Sequence, residues 1–144
     1  MSAMSNYLEN SLVDQLFRGQ AAPTTTTLYV GLLTAAPSDS GGGTEVSGGS
    51  YARVSVASSL ANWAGTQAAA STVASSGTGG QTSNNAAITF PTPAATWGTV
   101  THFGIYDAAS AGNLLFWGAL TISKTINQSD TVTFPAASLS ITFA

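Results

Sequence analysis

Cysteine is absent, histidine occurs once, and lysine and arginine together occur three times in 144 residues. Without cysteine there is no disulfide framework, no thiolate metal site and no cysteine nucleophile, so the fold must stand on packing and hydrogen bonds. Charged residues make up only 6% of the chain, against about 25% in an average soluble domain. The basic set is Arg18, Arg53 and Lys124, and the acids are Glu9, Asp14, Asp39, Glu45, Asp107 and Asp130. Three scattered cations cannot neutralise a run of phosphates, which argues against nucleic acid as a partner. Apolar runs are strand-length, far short of the ~20 residues that span a bilayer, so no membrane partner is expected. The first residues hold no basic stretch ahead of an apolar one, so no secretory signal is expected either.

What is present is Ser, Thr, Asn, Gln and Gly, from which the polar surface must be built. Such a surface carries little electrostatic repulsion to keep copies apart. It suits a protein packed against many neighbours. The length suits one domain spanning 1–144, large enough to bury a core.

One amphipathic helix is expected at about 6–18. Leu8, Leu12, Val13, Leu16 and Phe17 fall on one face. Asn6 reads as the N-cap with Glu9 three residues on, and Gly19 as the stop. A lone helix of this length is marginal, so its apolar face must dock on its own sheet or on a neighbouring subunit. After it, residues 27–34, 51–56, 86–90, 100–107, 114–122, 131–134 and 139–143 read as short strands separated by Gly and Pro turns. AASAGN between Asp107 and Leu114 makes the 100–107 and 114–122 strands a hairpin. The pattern predicts a mainly β fold, an antiparallel sandwich or jelly roll with one N-terminal helix attached. The Ala/Ser/Thr/Gly-rich segment 58–85, anchored by Leu60 and Trp63, reads as a long loop or arm with a mobile tip at 77–85.

Candidate chemistry is thin. Asp107 and Asp130 sit where strands meet turns, where Asp caps backbone N–H groups. His102 lies mid-strand without an announced triad partner. Asp39 and Glu45 flank a Gly-rich loop that lacks the dense acids of a calcium loop. The glycines are not followed by the Lys-Ser/Thr of a phosphate loop. Trp63, Trp97, Trp117, Tyr29, Tyr51 and Tyr106 are expected to pack core and interfaces, with sugar stacking as the rival use. No catalytic residue, cofactor or metal is expected. The residues expected to make assembly contacts are Leu8, Leu12, Leu16 and Phe17 on the helix, and Leu60 and Trp63 in the 58–85 segment.

Four segments carry a family resemblance: SNYLENSLVDQLFRG, TLYVGLLTAAP, GGSYARV and WGTVTHFGIYDAASAGNLLFWGAL. Together they resemble a family of small structural proteins of tailed-phage virions, over most of the chain from Asn6 to about Leu120. The resemblance implies a non-enzymatic capsid cement or decoration protein on the outer surface of the head, assembled in the host cytoplasm. Its implied partners are the major capsid protein and copies of itself, as a homodimer or homotrimer. The alternative is a tail-fibre or adhesin-type module that binds a host receptor or glycan.

Overall fold

The computed structural model describes residues 2–22 and 24–143. Its elements run β1 Ser2–Met4, α1 Asn6–Phe17, β2 Thr27–Ala35, β3 Thr44–Glu45, β4 Val54–Ala57, β5 Gln81–Ser83, β6 Ile88–Thr89, β7 Gly98–Tyr106, β8 Leu114–Ile126, β9 Thr133–Phe134 and β10 Ser140–Thr142. The fold is mainly β, with antiparallel pairing throughout these strands and a single helix near the N-terminus.

The expected hairpin is its centre. β7 and β8 pair through Tyr106↔Leu114 and Ile105↔Phe116, and β2 lies along the other side of β7 with Gly31 opposite Gly104. The six-stranded sheet has the order β1-β8-β7-β2-β3, and β4 pairs with the first half of β2 while β3 pairs with its end. Alternation puts Val30, Leu32, Phe103, Ile105 and Phe116 into one core, all buried. The covering layer is made of two short pairs, β5 with β10 and β6 with β9. They supply Ile88 and Ile141, while the adjoining segments supply Phe90, Trp97 and Leu139. β1, β3 and β5 were not legible in the sequence, since each has only two or three residues and no alternating apolar pattern.

The helix begins one residue earlier than expected. Ser5, not Asn6, is the N-cap, and its hydroxyl accepts from the Leu8 amide at 3.3 Å. The same hydroxyl donates to the Leu114 carbonyl, and the Ser5 amide donates to the Leu115 carbonyl at 2.9 Å. These contacts tie the start of α1 to the start of β8. With Ser5 as cap, Glu9 falls one position beyond the capping-box site and works only as an acid in the first turn. Gly19 closes the helix at φ 66°, and Gln20 donates back to the Asp14 carbonyl.

The 58–85 segment folds back on the body at its far end. Asn84, read from the sequence as part of a mobile tip, is 1% exposed. Its amide donates to the carbonyls of Ala86 and Pro135 at 2.8 Å, and its side-chain oxygen accepts from the Leu139 amide at 2.9 Å. Its backbone carbonyl accepts from Ala137 at 2.7 Å. One side chain thus joins the segment before β6 to the segment between β9 and β10. Removing it strands several buried polar groups, each costly when left unpaired. Asn84→Ala is expected to lower the unfolding free energy by about 3 kcal/mol in urea titration. A loss under about 1 kcal/mol would show that other contacts hold these segments together.

Candidate functional site

The GGSYARV turn builds a closed cluster over β2 and β7, which Tyr51 joins to the main core. Gly48, Gly49 and Ser50 all adopt positive φ, and the Tyr51 amide closes the turn onto the Gly48 carbonyl. This turn throws Tyr51 and Arg53 back over β2 and β7. The Arg53 guanidinium holds the Glu45 carboxylate with two contacts, Nε to Oε1 at 2.8 Å and Nη2 to Oε2 at 2.7 Å. Its Nη1 donates to the carbonyls of Ala108 and Ala111 in the β7–β8 turn, at 2.8 and 2.9 Å. The guanidinium carbon lies 3.4 Å above the centre of the Tyr106 ring, a cation–π stack. The Tyr51 hydroxyl donates to Glu45 Oε1 at 2.8 Å and accepts from the Leu32 amide at 2.9 Å.

Two glycines make room for this stack. A Cβ on Gly104 would stand 2.7 Å from Tyr106 Cε2, and one on Gly31 would stand 2.9 Å from Glu45 Oε1. The Arg53 side chain is 7% exposed and that of Glu45 26%, so the pair is well removed from water. Burial drives the Tyr51 phenol far above the ordinary tyrosine range, and the hydrogen bond and charge of Glu45 add to the rise against the opposing Leu32 amide. The Tyr106 phenol is raised by burial and then by the Glu45 charge. Burial lowers the Arg53 pKa, but the hydrogen bonds and charge of Glu45 outweigh it and the net shift is upward.

The remaining polar candidates are spent on local structure. Asp107 accepts from the Asn113 backbone and side-chain amides, both at 2.7 Å, across the AASAGN turn. Asp130 accepts from the Asn127 amide at 2.8 Å. His102 Nδ1 meets the Thr101 hydroxyl at 2.8 Å, and its ring tilts against Trp117. Glu45 faces Arg53 and does not join Asp39, whose carbonyl accepts from the Asn6 amide. Among the described residues no group of three or more His, Asp or Glu is gathered as a metal site. Of the aromatic set, Trp97 and Tyr51 pack edge to face at 5.3 Å, and Arg53 covers Tyr106.

The expected assembly residues divide. Leu8 packs against the core and Leu12 is half-buried, whereas Leu16 is 70% and Phe17 82% exposed. Leu60 is exposed, while Trp63 packs against the core with its indole N–H buried and without an acceptor among the described residues. The structure therefore does not gather these six residues into one surface.

Sequence reading missed a second open surface, a cleft of about 510 Å³ between the second half of β8 and residues 131–140. Buried Leu32, Val100 and Phe103 form its floor, and Leu120, Ile122 and Phe134 stand along its sides. It exists because β8 departs from β7: His102 pairs with Ala119 but Val100 pairs with Lys124, leaving four residues of β8 opposite Thr101 alone. β1 covers the outer edge of β8 only at Phe116–Gly118, so the edge beyond it has no strand partner among the described residues. The sequence signal was the apolar Leu120 and Ile122 continuing β8 after the glycine at 118.

The body is mainly β, Asp107 and Asp130 are spent on turns, and several apolar side chains, Leu16, Phe17, Leu60 and Ile122 among them, stand exposed. A family described as podophage GP4 fiber I protein gp80 matches residues 3–142. The chain belongs to that family and is a structural protein of a phage virion. No curated protein matches the chain.

Breaking a buried ion pair on one side leaves an uncompensated charge. Arg53→Ala is expected to cost about 3 kcal/mol in urea titration, and Glu45→Gln combined with it less than the sum of the two single changes. Additive losses would mean that the pair is not coupled. A pH effect follows from the phenols. They ionise near pH 10 when unfolded and higher when folded, so their stabilisation is complete below about pH 10 and is lost as pH rises beyond it. The unfolding free energy is expected to fall between about pH 9 and pH 11, and Tyr51→Phe to flatten that fall. An unchanged slope in Tyr51→Phe would remove Tyr51 from the account.

Proposed function

We propose that this chain is a non-enzymatic subunit of a virion fibre, whose role is to build the fibre and carry attachment to the host surface. The observation that carries this reading is the match to a fiber I family along nearly the whole chain. The chemistry of the chain is consistent with it. Asp107 and Asp130 serve turns, Asp14 and Glu45 are held in ion pairs, and the single histidine bonds a neighbouring threonine. The low charge and the outward apolar side chains suit a body that packs against copies of itself.

Capsid cement, the reading that the sequence favoured, rests on a short self-contained chain and a weakly charged surface. Those features suit a fibre subunit equally well, and only the fibre reading has a family description behind it. The discriminating measurement is copy number in purified virions, by quantitative mass spectrometry against the major capsid protein. A ratio of a few per cent is expected for a fibre. A ratio near one, or a simple fraction such as one third, would overturn the fibre reading and return the protein to the head.

A further inference from the structure

We propose that this chain assembles head to tail, with the exposed Leu16 and Phe17 end of α1 in one copy seated in the β8 cleft of the next. The proposal goes beyond the fibre reading and holds at any position in the virion.

Both surfaces carry exposed apolar side chains, and neither is covered by another of the described residues. Leu16 and Phe17 stand 70% and 82% exposed on a helix with no buried residue, and Ile122 at the cleft stands 80% exposed. Helix stability comes chiefly from tertiary packing of an apolar face, and here the body covers only the side that carries Leu8 and Leu12. No residue of α1 lines the cleft. The start of the helix is pinned at Leu114 and Leu115, whereas the cleft lies along residues 119–126 at the other end of the same strand. The helix is thus fastened at its start, away from the cleft, and a second copy is what brings Leu16 and Phe17 to it.

Charge points to the same pairing. Of the three Lys and Arg side chains, Arg18 is paired with Asp14 and Arg53 with Glu45, while Lys124 has no acidic partner among the described residues. Lys124 lines the cleft, where it is the single charged side chain. The helix has Glu9 in its first turn and no basic residue in its last, and the C-cap Arg18 is tied to Asp14, which leaves the partial negative charge of its C-terminal carbonyls for a further cation. Lys124, beside the seat of Leu16 and Phe17, supplies it from the neighbouring copy. A helix-to-cleft contact is heterologous, so each copy uses two different surfaces, and repetition either closes a ring or runs on as a filament.

Sedimentation of the full chain in solution tests this with three samples. The wild type is expected to form oligomers whose population rises with concentration. Phe17→Asp and Ile122→Asp both change exposed positions, and each is expected to weaken association roughly 100-fold and leave a folded monomer by circular dichroism. An equimolar mixture of the two variants is the decisive sample. One still has an intact cleft and the other an intact helix, so the mixture should form dimers and nothing larger. A monomeric wild type, a variant of wild-type size, or a mixture that stays monomeric or regains full size would overturn the proposal. Should Ile122→Asp fail to fold, Lys124→Glu on the exposed rim replaces it, with an expected weakening of about tenfold.

Discussion

The Arg53 guanidinium is the joint on which the sheet depends. It precedes β4, grips Glu45 on β3, lies on Tyr106 of β7 and bonds two carbonyls of the β7–β8 turn. Through Tyr51, which shares Glu45, the same cluster reaches the Leu32 amide of β2. β3 and β4 are short and both hang on β2, so few ladder bonds hold them. A buried, bidentate ion pair is worth having there less for its net energy, which desolvation largely offsets, than for the single arrangement it permits. Gly31 and Gly104 are small for the same reason, since the stack occupies the space where their side chains would stand.

That joint also explains what was and was not legible in the sequence. The strands of β2, β7 and β8 showed plainly, because each is nine or more residues long and rich in β-forming residues. The helix showed because five apolar residues share a face. Tyr51 and Arg53 fall on the same side of their segment by alternation, but nothing local announces that Glu45 and Tyr106 meet them, because those contacts span a loop and a long stretch of chain. Asn84 was hidden in the same way. Asn in a run of Ser, Thr and Gly reads as a turn residue, and its burial follows from Leu139 and Pro135, some fifty residues away.

The assembly residues were only partly legible for a different reason. An amphipathic stripe shows that a face is apolar, not what covers it. The body takes Leu8 and leaves Phe17, since the helix is fastened to β8 at its Ser5 end. Trp63, expected as an anchor of the 58–85 segment and an assembly contact, packs against the core, because residues 59–64 turn back toward Asn84 and Asn85. The cleft went unseen because it is made by a local mismatch of register between β7 and β8, which no single strand displays.

Charge is used sparingly enough that its placement can be followed group by group. Two of the three Lys and Arg side chains are committed to acids, and Asp107 and Asp130 are committed to turns. What remains for contact with other molecules is apolar surface, hydroxyl-bearing surface, the exposed Glu9 and Asp39, and Lys124. A surface of that kind has little long-range steering, so its associations depend on shape and on repetition. Repetition multiplies modest contacts into a durable structure, and a virion supplies it by presenting many copies in fixed positions. The same economy leaves little to prevent unwanted association. The rigid joint at Arg53 bears on that risk: by holding β3 and β4 down on β2, it keeps that edge of the sheet paired and leaves the far edge, along β8, as the open one.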